Sequence, residues 1–291
     1  MSNLPRALVL SLLTSLVASL VAAGSKLAAQ YVSVHVVVAS QYLVGLCLYL
    51  PLLWRERGRA FATQRPGLHL IRGLAGVLAF YAYYASLGHI SLVDATLLRN
   101  SAPLFVPLIA LWALQIRVPA KRWGPLAFGF IGVIVILRPW PASIDVWHLA
   151  ALFAAAMMAT SMIATRLLTK TESNESVLLY YFSIALAVSL PFALWHLAPA
   201  PLWVWGLLLL LGLGLALALR LYTLAYRAVK PSVLSPASYL SVVFAGVWGW
   251  LFWQELPTLW SLLGIGLVVI SACWILWLGD DVEPASPRPP A

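Results

Sequence analysis

Arg99, followed directly by Asn100 and Ser101, interrupts an otherwise apolar stretch from 94 to 115, and Arg220 interrupts another from 203 to 226. A charge near the centre of a bilayer costs roughly 2.5–3.5 kcal/mol, so such a residue needs a reason to be there. One reason is a polar cavity, in which a guanidinium grips a carboxylate or phosphate through two parallel hydrogen bonds. The other is snorkelling, with the stem in lipid and the head at the interface. Lys26, near the far end of the first apolar stretch, is a third cation with the same two readings, cavity or interface. Tyr81 and Tyr84 lie in a further stretch and Tyr222 in that of Arg220, with Gln41, Tyr239 and Trp248 in others. Their apolar faces and single polar groups suit the holding of an amphipathic metabolite. Together with Arg99, Arg220, Asn100 and Lys26 they form the candidate substrate-binding set.

The carboxylates are placed differently. Asp94 and Glu255 stand at the ends of apolar stretches, with His35 and His89 near the same surface, and no carboxylate falls at mid-stretch. This argues against a proton relay through the membrane interior and makes Asp94 and Glu255 candidates for coupling or gating. Asp94 also fits a helix N-cap, and Glu255 a loop cap. Bond-breaking chemistry has little support. Cys47 and Cys273 are isolated, the five histidines form no HExxH, and no GxxxxGK[ST] loop is present. No catalytic residue, metal site or cofactor is expected, and the chain is not read as an enzyme.

The elements that position these residues follow from composition. Of 291 residues, 63% are hydrophobic and 9% charged, with mean hydropathy +0.93, which is too few charges to cover a soluble protein. Apolar runs at about 7–25, 34–54, 71–88, 94–115, 121–138, 148–168, 177–197, 203–226, 232–254 and 258–278 each approach the roughly 20 residues of a transmembrane helix. The expected fold is all-α and integral to the membrane, with ten transmembrane helices. The first run also resembles a secretory signal peptide, but its counterpart at 148–168 is internal and cannot be cleaved. Basic residues crowd alternate loops (Arg55, Arg57, Arg59 and Arg65; Arg117, Lys121 and Arg122; Arg166 and Lys170; Arg227 and Lys230), which predicts cytoplasmic termini. The net charge of +9 is therefore a topology signal. It points to lipid headgroups as partners, not to nucleic acid, and nothing in the sequence specifies an oligomeric state.

The ten runs divide into two similar halves, 1–139 and 146–279, followed by an acidic then proline-rich tail at 280–291 that reads as disordered and cytoplasmic. Five helices per half make the second copy enter from the opposite side, so the repeats are inverted and alternating access follows from rocking one against the other. Pro103 and Pro107 in the fourth helix, and Pro236 near the entry to the ninth, are candidate hinges or static kinks. Gly73 with Gly76, Gly129 with Gly132, and Gly246 with Gly249 are read as helix-packing positions.

The stretch RGLAGVLAFYAYYASLGHISLVDATLLRNSAPLFVPLIALWAL from Arg72, with RWGPLAFGFIGVIVILRP from Arg122 to Pro139, resembles the EamA domain of the drug/metabolite transporter superfamily. LYTLAYRAVKPSVLSPASYLSVVFAGVWGWLFWQELPTLWSLLGIGLVVIS, from Leu221, resembles it again. The resemblance implies two inverted five-helix EamA repeats in a multi-pass bacterial inner-membrane protein, typically an exporter. It also implies a Glu after the fourth and ninth helices. Glu255 matches the second, and Ile116 stands at the first. The expected function is export of a small polar or zwitterionic, carboxylate-bearing metabolite, such as an amino acid or an opine-type metallophore. Import of a vitamin or nucleoside-like metabolite is the alternative, and a non-transporting membrane sensor or scaffold is the alternative of another class.

Overall fold

The computed structural model describes residues 3–55, 63–114, 120–137, 145–228 and 240–278. Tyr239, Pro236 and the tail at 280–291 lie outside them. The described residues form helices and connecting turns: α1 (Asn3–Ala28), α2 (Val34–Arg55), α3 (Pro66–Leu87), α4 (Leu92–Asn100), α5 (Ala102–Leu114), α6 (Trp123–Leu137), α7 (Val146–Leu168), α8 (Asn174–Trp195), α9 (Leu202–Ala228), α10 (Leu240–Trp253) and α11 (Leu259–Trp277). Seven spans, with α4 and α5 counted as one, are long and apolar enough to cross a bilayer, and α6, α10 and α11 contain shorter apolar segments. Trp112, Trp195 and Trp277, all near helix ends, are more than four-fifths exposed. In water that surface would be an aggregation liability, whereas in a bilayer it is an aromatic belt against lipid.

Local chemistry sets the helix ends. Pro66 opens α3 at a position where its missing N–H costs nothing. Ser173 and Asp145 cap α8 and α7 by accepting from Ser176 N and Trp147 N. Ser91 caps α4 by accepting from Asp94 N at 3.0 Å, so Asp94 is not itself the cap, because the helix starts two residues earlier than its apolar run. The predicted fourth helix is divided at Ser101 into α4 and α5. Pro103, in the first turn of α5, has no N–H to donate to the Arg99 carbonyl, and Pro107 lies inside α5.

Packing reproduces the inversion. α1 lies on α9 as α3 lies on α7, and α2 packs on α9 as α8 packs on α3. α1 meets α10 as α7 meets α4 and α5, while α2 with α8 and α6 with α11 pair across the pseudo-two-fold. Exchanging the two halves therefore maps this set of contacts onto itself. The α6–α11 pair depends on close backbone approach: a Cβ at Gly264 would lie 2.9 Å from the Gly132 carbonyl oxygen, and one at Gly132 3.1 Å from that of Gly264. The bundle has a basic end, where α1 begins and where Arg65, Lys121, Arg122, Arg166 and Lys170 fall, and an opposite end, where α1 meets α2 and α10 meets α11.

Candidate functional site

A cavity of about 110 Å³ lies between the repeats, lined from α1, α3, α4, α7, α8 and α9. Its α7 and α9 residues, Met158 to Thr165 and Leu215 to Tyr222, come from the halves of those helices nearer the basic end. Two arginines line it. Arg99, in the last turn of α4, lies over two rings of α3, 5.3 Å from the Phe80 centroid and 4.7 Å from that of Tyr83. Arg72, on α3, lies 4.3 Å from the Tyr181 centroid. Its Nε donates to Thr165 Oγ1 at 2.8 Å, and Ser161 Oγ of α7 donates to its carbonyl at 3.1 Å. Thr165 in turn donates to the Ser161 carbonyl, which orients its lone pairs toward the guanidinium. Arg72 is 6% exposed and its Nη1 has no hydrogen-bond partner. No carboxylate lines the cavity among the described residues.

The tyrosines of this wall are fixed through their hydroxyls. Tyr84 donates to Gln41 Oε1 at 3.0 Å, Gln41 Nε2 donates to Ser25 Oγ at 2.9 Å, and Ser25 donates to the Val21 carbonyl. Tyr83 bonds Thr96, and Tyr181 bonds Tyr42. These three tyrosine hydroxyls thus each have a side-chain partner on a neighbouring helix. Tyr222 also lines the cavity.

Other predicted site residues lie elsewhere. Arg220 is exposed on α9 and does not line the cavity. Tyr81 faces His35, with ring centroids 5.3 Å apart. Trp248 donates to Ser19 at 3.0 Å, tying α10 to α1. Asn100 donates to Ser241 at 2.6 Å and Asp94 accepts from Ser261 at 2.6 Å, so α4 is tied to α10 and α11.

Lys26 and Glu255 form a second centre at the opposite end. Lys26 Nζ meets Glu255 Oε1 at 2.5 Å, donates to the Ile90 carbonyl at 3.3 Å, and stands 5.2 Å from the Trp253 ring centroid. The other carboxylate oxygen accepts from Leu92 N at 2.9 Å, so Glu255 caps the start of α4. Gln254, at φ 56°, turns the chain just past α10 so that Glu255 points back into the bundle. A recess of about 540 Å³, lined in part by His89, Trp253 and this ion pair, opens above it. The pair ties α1, the start of α4 and the α10–α11 turn together.

Two inverted helical repeats packed around a central cavity that two arginines line are the architecture of a membrane carrier. The sequence model of the EamA-like transporter family matches residues 5–138 and 145–277, and the chain belongs to that family, within the drug/metabolite transporter superfamily. It is 29% identical to a pseudopaline exporter of Pseudomonas aeruginosa, over 78% of this chain and 80% of that protein. It is 28% identical to a riboflavin transporter of Brucella anthropi, over 81% and 85%. It is 24% identical to an S-adenosylmethionine uptake transporter of Rickettsia bellii, over 74% of each. A solved crystal structure, 19% identical, shares the fold with a TM-score of 0.62 over 92% of this chain and 96% of that one.

Proposed function

We propose that this protein exports a small, polar or zwitterionic, carboxylate-bearing metabolite across the bacterial cytoplasmic membrane by alternating access, with its basic end and both termini in the cytoplasm. The observation that carries the reading is Arg99, a cation over aromatic rings in a cavity that holds no carboxylate among its described lining residues. The ring faces beneath it offset part of its desolvation cost, and a substrate carboxylate would supply the counter-charge. Tyr84 and Tyr222 give the ligand's apolar part a surface. Gln41 holds Tyr84 in place rather than touching substrate.

Direction is supported by the difference between the two ends. The Lys26–Glu255 pair ties helices together on the side away from the basic residues, while on α7 and α9 the cavity is lined from the halves nearer the basic end. By the positive-inside rule, this state loads from the cytoplasm. The likeness to a pseudopaline exporter favours the same direction. Uptake of a vitamin or nucleoside-like compound is the second reading, favoured by the likeness to riboflavin and S-adenosylmethionine uptake transporters.

Metabolite profiling of medium and cytoplasm tests the proposal in a deletion strain, its parent, and a strain rescued with Arg99→Ala. An anionic compound should accumulate inside the deletion strain, vanish from its medium, and stay inside when only the Arg99 variant is supplied at normal membrane levels. A nutrient left behind in the medium would move the uptake reading to first place.

A further inference from the structure

We infer that the cavity selects ligands bearing two anionic groups, one held by Arg99 and the other by Arg72, a residue at the edge of its apolar run that no sequence pattern singles out. The inference rests on the anion-export reading and narrows its substrate class to dicarboxylates and their amino derivatives. Arg72 lies six residues into α3, about 9 Å from its start, and it is buried and held too firmly to snorkel. Its Nε is committed to Thr165, its face to Tyr181 and its backbone carbonyl to Ser161. What remains is the Nη edge, and Nη1 is buried without a hydrogen-bond partner. A buried cationic donor left unsatisfied is costly, and no carboxylate among the described lining residues relieves it.

The spacing of the two cations follows from α3. Tyr181, under Arg72, lies against Gly76, where a Cβ would meet its ring at 2.4 Å. Phe80, under Arg99, is one turn further along the same helix. The guanidiniums therefore face different stretches of α3, Arg72 beside Gly76 and Arg99 beside Phe80 and Tyr83, and are offset along it by about one to two helical turns. One carboxylate cannot satisfy both in bidentate fashion across that offset, whereas the two carboxylates of a short dicarboxylate can. The Tyr83 and Tyr84 side chains lie along the same wall.

The test uses the full-length protein in lipid nanodiscs, with succinate, glutarate and adipate as probes beside the monoamide of each, read by thermal shift and competition binding. One dicarboxylate of matching length should bind at least about tenfold more tightly than its monoamide, the scale of one charge-assisted hydrogen-bonded contact. Arg72→Gln should erase that preference while leaving monoamide affinity within about threefold, and Arg72→Lys, which keeps the charge without the fork, should restore part of it. A merely structural Arg72 would instead weaken both probes together in either variant, which would overturn the inference. Monoamides binding as tightly as dicarboxylates would also overturn it while leaving the anion-export reading intact. If dicarboxylates and monoamides both fail, and only neutral or cationic amines bind, both fall.

Discussion

Arg72 and Arg220 show how a single residue's role depends on helix face and depth. Arg220 interrupts a run that is leucine-rich on every side, so no periodicity tells which face of α9 looks inward, and the face it occupies is exposed. Arg72 reads in sequence as the edge of a span starting at 71, but Pro66 starts α3 earlier and carries Arg72 into the bundle. Asp94 and Glu255 were legible as belonging to one end of the molecule. The partner of Glu255 was not, because Lys26 is 229 residues away along the chain and no local signal spans that separation. The ion pair makes a direct prediction. Glu255→Gln leaves Lys26 buried without its counter-charge and should loosen the closure. An Ala22→Cys reporter, placed on a cavity-lining position, should then react several-fold faster with a membrane-impermeant maleimide added from outside. Exchanging the charges, Lys26→Glu with Glu255→Lys, should slow it again. Unchanged labelling in Glu255→Gln would show that the pair does not hold that end shut.

At the scale of elements, the apolar runs foretold the helices because burial in lipid is a one-dimensional signal roughly 20 residues long. The runs did not foretell the break between α4 and α5, although Pro103 and Pro107 marked the right helix. Arg99 and Asn100 sit in the last turn before that break, where Pro103 leaves the Arg99 carbonyl without its helical donor. Both segments pack on α7, and the one before the break is also tied to α10 and α11. If it works as a hinge, Pro103→Ala should reconnect the helix, lowering the maximal transport rate several-fold while changing KM by less than about twofold, and raising thermal stability. Equal loss in both parameters would mark a static kink. The α6–α11 contact offers a test of packing alone. Gly264→Val puts a branched side chain where even a Cβ would lie 2.4 Å from Ile136 Cγ1. It should destabilise the protein by about 1–3 kcal/mol, seen as a lower melting temperature in detergent.

At the scale of the whole molecule, inversion was legible because an odd number of apolar runs per half sends the second copy in from the opposite side. The helix contacts obey the same exchange of halves. Function departs from that symmetry in side chains. Glu255 stands in the second half where the first has Ile116, so the ionic closure has no carboxylate at the corresponding position, and the two access states need not be equally stable. On the export reading, this asymmetry favours the state loaded from the basic end. The central claim is that this cavity carries anionic metabolites outward through its arginines. The most direct measurement uses inside-out membrane vesicles from cells expressing the wild type or the Arg72→Gln/Arg99→Gln double variant, incubated with an isotope-labelled cytoplasmic extract and analysed by mass spectrometry. The account predicts time-dependent, saturable accumulation of an anionic compound in wild-type vesicles, reduced at least about tenfold in the double variant at equal protein levels, the scale of losing one charge-assisted contact. Accumulation confined to neutral or cationic compounds, or equal accumulation by both proteins, would contradict it.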